Sequence, residues 1–387
     1  MFSWNPRAAS ALLIASMLLS STANGDTIKR EPLTFAKLPG WDQDDHIAAL
    51  RAFRQSCAIP AVDGPADVIS ALNKICAEAL ALSSSETADR EKARLFFETK
   101  FRPFRLQGDE PDGLLTGYFE PELEGSLLPT KRFCVPVLRR PDDLVDIVPA
   151  NERAAANAQG RLASMRRTAA GLVPYYTRAE IEAGALSGRG LELVYLDSIV
   201  DAYLMHVQGS GSIRLREGRV IHIGYNGKNG YPFTSAGSVL IREGVLRREQ
   251  LTMQTMKAWL EAHPRRATNV LHENKSYIFF EEKVLAAGAT GPIGGHGTAL
   301  TPRRSLAVDP AFHVLGAPVY VVVNELASRG QSSFEHLMIA DDVGSAIKGP
   351  ERGDIFWGTG SAAGDIAGRT KHRGHIYALM PLGSDVP

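Results

Sequence analysis

Ile339-Ala340-Asp341-Asp342-Val343-Gly344-Ser345-Ala346-Ile347-Lys348-Gly349, followed by Gly353-Asp354-Ile355-Phe356-Trp357-Gly358, decides how this chain is read. Two apolar, strand-like segments carry carboxylates, Asp342 and Asp354, beside glycines that let the backbone turn tightly. A third carboxylate, Asp309, closes the run Leu306-Ala307-Val308-Asp309-Pro310. Acidic side chains at strand ends next to tight turns are the raw material of an open acid–base site. Around them, from about Gly294 to Leu379, short β runs dominate: Leu306–Val308, Pro318–Val323, His336–Ile339, Asp354–Trp357 and His375–Leu379. Short strands joined by glycine turns, with almost no helical signal, predict a small closed barrel.

Upstream the pattern changes twice. From Asp42 to about Arg105 it is helical: Ile47, Leu50 and Phe53 recur on one face after the acidic run Asp42 to Asp45, and Ser85 leads into Leu95, Phe96 and Phe101. These helices are expected to cover a larger body. From about Gly113 to Phe280 short strands alternate with glycine turns and a few helices. Thr177-Arg178-Ala179-Glu180 has capping-box spacing. A helix from Arg248 to His263 is expected to stop at Pro264, with Met253, Met256 and Leu260 on its buried face.

The chain has 43 basic and 43 acidic residues, with no block of like charge, so no nucleic-acid footprint is indicated. Arg7, the apolar stretch Leu12 to Leu19 and the small residues Ser21-Thr22-Ala23 read as a secretory signal over 1–23. That apolar core is too short for a span, which takes about 20 residues. No cysteine follows it, so the expectation is a periplasmic protein without a diacyl anchor. Cys57 and Cys76 lie in neighbouring helical segments; they form either a bridge, as an exported protein allows, or two buried thiols. Cys134, in Phe133-Cys134-Val135-Pro136-Val137-Leu138, reads as a core residue.

Polar clusters at tight turns recur at Leu115-Thr116-Gly117-Tyr118-Phe119-Glu120-Pro121-Glu122, His206-Val207-Gln208-Gly209-Ser210-Gly211-Ser212 and Gly224-Tyr225-Asn226-Gly227-Lys228-Asn229-Gly230-Tyr231. Aromatic faces with Gln, Asn, Thr and Lys suit a sugar-binding groove, although Gly and Asn are also the ordinary turn residues. Gly209-Ser210-Gly211 lacks the third glycine of a nucleotide fingerprint. Asp342-Val343-Gly344 has no second copy to complete an aspartic-protease pair. His372 and His375 lack a third ligand in a matching position, so neither a metal nor another cofactor is expected; with His296 they read as surface or loop residues.

Taken in order, Thr116-Gly117-Tyr118-Phe119-Glu120-Pro121, Val207-Gln208-Gly209-Ser210-Gly211, Gly227-Lys228-Asn229-Gly230, Asp342-Val343-Gly344-Ser345-Ala346-Ile347-Lys348-Gly349 and Asp354 closely resemble the membrane-bound lytic murein transglycosylase A family. The match runs from about Gly113 to Leu379. It departs at Ser345, where glycine is common, and at the missing lipid-attachment cysteine. The resemblance implies a mainly β fold with peripheral helices: a double-psi β-barrel built from 26–119 and 285–387, interrupted by a smaller β-domain over 120–284. Asp309, Asp342 and Asp354 would be the family's three aspartates.

The resemblance also implies cleavage of the β-1,4 bond between N-acetylmuramic acid and N-acetylglucosamine, with a 1,6-anhydro product. Asp354 would be the single catalytic acid and base, raised in pKa by burial beside Ile355, Phe356 and Trp357 and by Asp342. Asp342 and Asp309 would support it. Thr116, Tyr118, Gln208, Gly209, Ser210, Lys228, Asn229 and Lys348 are the expected glycan contacts. Peptidoglycan strands would be the partners, with cell-wall synthesis or hydrolysis complexes as wider assemblies. Two other readings stay open at this level: a hydrolase on the same barrel, and a non-catalytic wall-binding module similar to expansins.

Overall fold

The computed structural model describes residues 29–107, 113–149, 156, 160–323 and 333–384. The expected export signal over 1–23 lies outside them. Strands run in chain order as β1 (Lys29–Pro32), β2 (Phe101–Gln107), β3 (Gly113–Glu120), β4 (Glu122–Ser126), β5 (Val135–Leu138), β6 (Leu144–Asp146), β7 (Ser164–Thr168), β8 (Gly171–Pro174) and β9 (Glu192–Leu196). They continue as β10 (Ser210–Leu215), β11 (Val220–Lys228), β12 (Ile278–Lys283), β13 (Ser305–Val308), β14 (Pro318–Val323), β15 (Phe334–Val343), β16 (Arg352–Thr359) and β17 (Lys371–Pro381).

One sheet follows the order β1-β2-β17-β14-β15-β13-β16-β3, and β3 pairs back onto β17. That last pairing closes six strands, β17, β14, β15, β13, β16 and β3, into a barrel. Two of its pairs, β13 with β15 and β16 with β3, are parallel. The period of two along each strand decides what fills it. Leu115, Leu306, Val308, Val321, Met338, Ile355 and Ile376 point inward and pack the lumen solid. On β14, Val319, Val321 and Val323 face this lumen while Tyr320 and Val322 face outward into a second core. A strand buried on both faces accounts for its unbroken apolar run.

That second core lies under the helices His46–Ser56, Ala66–Ala81 and Arg90–Lys100. Leu50, Phe53, Leu72 and Phe97 pack there against Tyr320, Leu337, Ile339 and Leu379. Asp45 caps the first helix by accepting from the Ala48 N–H at 3.0 Å. Cys57, at that helix's end, is joined by a disulfide to Cys76 on the second. A buried ion pair ties the cover to the barrel: Asp44 accepts from both terminal nitrogens of the Arg304 guanidinium at 2.9 Å and from the Leu337 N–H at 2.7 Å.

Strands β4 to β12 form two further sheets, β12-β11-β10-β4-β9-β5 and β6-β7-β8. Thr177 and Glu180 make the capping box that their spacing predicts. The helix expected over Arg248 to His263 is shorter. It spans Met253–Ala262, capped by Thr252, and Pro264 opens a new helix to His272 instead of ending the pattern. Proline at the first helical position lacks only an N–H that would be unbonded anyway. Cys134 is exposed rather than core, because alternation sends Phe133 and Val137 inward and leaves the residue between Phe133 and β5 outside. His372 and His375 sit on β17, not in a loop.

Candidate active site

The barrel's register lays four residues in a row across its outer surface. Ala307 of β13 is opposite Asp342 of β15 on one side and Asp354 of β16 on the other. Asp354 in turn is opposite Thr116 of β3. Residues opposite each other in register share a face. Here that face is the outer one, since the neighbours Leu306, Ile355 and Leu115 all point into the lumen. The two carboxylates are therefore two strands apart, about 10 Å between strand axes, with only an alanine methyl between them.

A bulge makes this row possible. On β15 the register slips between Ala340 and Asp342, leaving Asp341 as the extra residue. Asp341 is buried and accepts from the Ser56 and Ser305 hydroxyls, each at 2.7 Å, which ties the bulge to the helical cover. Without the slip, Asp342 would turn into the lumen.

The carboxylates differ in what holds them. Asp342 is fully engaged as an acceptor. Its Oδ2 takes the Tyr118 hydroxyl at 2.7 Å, and its Oδ1 takes the N–H groups of Gly295 at 2.8 Å and Val343 at 2.9 Å. Burial raises the Asp342 pKa, and these three donors oppose that rise. Burial, then the Asp342 charge, push Tyr118 well above the usual tyrosine range, so it stays an O–H donor.

Asp354 is held on one side only. Its Oδ1 accepts from the Thr116 hydroxyl at 2.6 Å. The Thr116 oxygen accepts from Nη2 of Arg352 at 2.9 Å, which commits the Thr116 proton to Asp354. Among the described residues Oδ2 has no hydrogen-bond partner, which leaves it as the oxygen able to carry a transferable proton. Burial pushes the Asp354 pKa up to about 6; Thr116 and Arg352 pull it down, and Asp342 adds to the rise. The apolar wall beside it differs from expectation. Phe356, Tyr118, Leu300 and Ile347 cluster on this outer side, whereas Ile355 faces the lumen. Gly117 is required here, because a Cβ would come within 2.5 Å of the Trp357 indole nitrogen.

The remaining expected residues separate into groups. Asp309 is buried and accepts from Lys348 Nζ at 3.2 Å and the Gly349 N–H at 2.9 Å. It pins the turn that connects Asp342 to Asp354 and has no contact with either. Gln208 stands where the two bodies meet, its Oε1 accepting from the Phe119 N–H at 3.1 Å. Gly209 ends the helix Ile199–Gln208 at φ 84°, and Ser210 opens β10. Lys228 is half-buried at the end of β11.

Asn229 corrects the expectation of a glycan contact. It is wholly buried, donating to the Tyr176 and Lys275 carbonyls at 2.8 and 2.9 Å and accepting from the Tyr277 N–H at 2.9 Å. An amide saturated by backbone in this way holds three segments together and presents nothing to a ligand. Arg352 was missed, although its place two residues before Asp354 on one strand puts both on one face. Among the described residues no group of His, Cys, Asp and Glu could hold a metal ion.

Residues 114–281 match the model of the MltA specific insert domain, and residues 304–380 match the 3D domain. The membrane-bound lytic murein transglycosylase A of Vibrio cholerae is 32% identical over 283 residues, covering 71% of this chain and 68% of its own. The chain belongs to the MltA family. Among solved structures, the membrane-bound lytic murein transglycosylase of Agrobacterium tumefaciens superposes with a TM-score of 0.81 at 34% identity, covering 91% of this chain and 98% of its own. MltA from Neisseria gonorrhoeae gives 0.73 at 30% identity over 93% of each chain. Escherichia coli MltA with bound chitohexaose gives 0.62 at 26% identity over 91% of each. The closed barrel is thus the double-psi β-barrel of the MltA structures.

Proposed function

We propose that Asp354 is the acid and base with which this MltA-family lytic transglycosylase cleaves peptidoglycan, at the β-1,4 bond between N-acetylmuramic acid and N-acetylglucosamine. The observation that carries the assignment is the asymmetry of its carboxyl: Oδ1 is fixed by Thr116, while Oδ2 has no partner among the described residues. With a pKa of about 6, the group holds its proton in a useful fraction of molecules near neutral pH.

In the first step Oδ2–H protonates the glycosidic oxygen as the C1–O bond breaks. The carboxylate then accepts the proton of the muramic acid 6-hydroxyl as that oxygen bonds to C1, closing the 1,6-anhydro ring. The nucleophile is tethered to the sugar under attack, so its effective molarity is high and water has no part in the step. A two-carboxylate hydrolase needs a second group free to serve as nucleophile or base. Asp342 does not suit that role, because both of its oxygens are already occupied. In this reading Asp342 supports the site by its charge and by holding Gly295, and Asp309 supports it by pinning Lys348 and Gly349. Gln208, Gly209, Ser210 and Lys228 are the expected glycan contacts on the insert. Thr116 and Tyr118 act on the carboxylates.

The enzyme would work in the periplasm, exported by the apolar segment within 1–23. The disulfide between Cys57 and Cys76 agrees with an oxidising compartment. Among the described residues no helix is long and apolar enough to cross a membrane. Its partners are the glycan strands, with cell-wall synthesis or hydrolysis complexes as the assemblies it would serve. Mass spectrometry of sacculi digested by the purified protein tests the reaction. Anhydro-muropeptides are expected. Reducing ends would mean hydrolysis, and binding without soluble fragments would mean a wall-binding module.

A further inference from the structure

Glu120 is the last residue of β3, where the chain leaves the barrel for the insert. It has 0% exposure. Its Oε2 accepts from the Thr359 hydroxyl of β16 at 2.9 Å, and its Oε1 lies 3.3 Å from Nδ1 of His222 on β11. One buried carboxylate therefore grips the barrel with one oxygen and the insert with the other. A further nearby charge, Glu122, is paired with Arg214. Burying a carboxylate is unfavourable unless its oxygens are bonded, and an apolar side chain would fill the space without that cost.

Glu120 shares its strand face with Thr116 and Tyr118 but lies about 13 Å along β3 from Thr116, out of reach of the reacting atoms. Two further polar contacts between barrel and insert lie at the same end. The Phe119 N–H bonds Gln208 at 3.1 Å, and Gln254 Nε2 bonds the Gly364 carbonyl at 3.3 Å on the helix that follows β16. The two bodies are thus fastened beside the chain crossing.

We propose that Glu120 is a positioning residue: by clasping Thr359 and His222 it fixes the insert at the angle that presses the glycan strand onto the row carrying Asp354. The proposal rests on the reading of Asp354 and the glycan substrate given above. Its first test is kept independent of catalysis. Chitohexaose binding is measured by calorimetry in an Asp354→Asn background. Glu120→Ala and His222→Ala should each weaken binding about tenfold, and the double variant should lose no more than either alone. Glu120→Gln, which can still bond both partners, should restore most of the affinity.

With Asp354 present, Glu120→Ala should raise KM for sacculi more than it lowers kcat, and leave the alkaline limb of the pH–rate profile in place. A folded Glu120→Ala protein with unchanged chitohexaose affinity overturns the proposal, as do losses that add in the double variant. If Glu120→Ala does not fold, the partly exposed His222 carries the test, and undiminished binding by His222→Ala overturns the proposal equally. A wrong assignment of Asp354 would show instead as residual cleavage by Asp354→Asn, without moving these affinities.

Discussion

The hydroxyl of Thr116 stands 2.6 Å from Oδ1 of Asp354 and 2.9 Å from the Arg352 guanidinium, so its proton points at the carboxylate. This bond favours the ionised form of Asp354 against the burial that opposes it. Thr116→Val should therefore raise the Asp354 pKa and move the alkaline limb of kcat/KM to higher pH by about one unit, while kcat falls because the acid is no longer oriented. Thr116→Ser should restore both. A pH–rate profile of Thr116→Val that overlays the parent would remove Thr116 from the account.

Asp342→Asn should act in the opposite direction. It removes a negative charge that raises the Asp354 pKa, so the alkaline limb should move to lower pH. It also replaces one acceptor oxygen by an amide N–H₂, which must face either the Tyr118 hydroxyl or the Gly295 and Val343 N–H groups. A loss of about 1–3 kcal/mol in urea denaturation is expected. Activity should fall less than in Asp354→Asn; equal and complete loss in a folded Asp342→Asn protein would make Asp342 a catalytic partner.

As pH falls from 7.5 to 5, Asp341 and Asp354 should favour the folded state increasingly, while His46, His206, His296 and His313, held below the usual histidine range by burial, act the other way. Burial pushes both Asp341 and Asp354 up to about 6 from an ordinary 3.8. Between those values these two carboxyls bind more protons in the folded chain than in the unfolded one. Their contribution is complete below the ordinary value and disappears as pH rises through about 6. Asp44 has the opposite sign: burial would raise it, but bonds from His336 and Arg304 outweigh that and hold it well below the usual range. Its contribution is lost only in stronger acid, as pH falls below about 4. Differential scanning fluorimetry should show a change of Tm from pH 7.5 to 5 that is less favourable in Asp354→Asn than in the parent. Identical slopes in the two proteins would contradict the assignment.

Cys57 and Cys76 are separated by 19 residues, and their bond closes a loop across two helices of the cover. Reduction, or Cys57→Ser with Cys76→Ser, should cost about 3 kcal/mol by the chain-entropy argument. Neither cysteine bonds Asp342 or Asp354, so, provided the adjoining Ser56 keeps its bond to Asp341, the specific activity of the folded fraction should hold below the new Tm. A parallel loss of kcat at low temperature would show that the cover shapes the site directly.

Much of this architecture was legible where local chemistry and burial agree. The β14 run Pro318–Val323 reads as a strand because both of its faces are buried, and Thr177 with Glu180 reads as a cap because the donors they satisfy are local. Asp354 stood out as a carboxylate in a glycine-flanked strand. What failed to show depends on pairing between distant segments. The bulge that leaves Asp341 extra and turns Asp342 outward has no signature in its own neighbours, since it exists only against β13. Asn229 looked like a turn residue open to a ligand, yet backbone from two other segments saturates it. The clasp of Glu120 by His222 and Thr359 joins residues more than a hundred positions apart, which no spacing rule reaches.

The central claim is that one carboxyl, Asp354, serves as both acid and base. The most direct test is to digest purified sacculi with the parent protein and with Asp354→Asn, and to quantify 1,6-anhydro-muropeptides by mass spectrometry. The account predicts abundant anhydro products from the parent, and a loss of at least about a hundredfold in a folded Asp354→Asn protein that still binds chitohexaose. Release of anhydro-muropeptides by Asp354→Asn at the parent rate would contradict it.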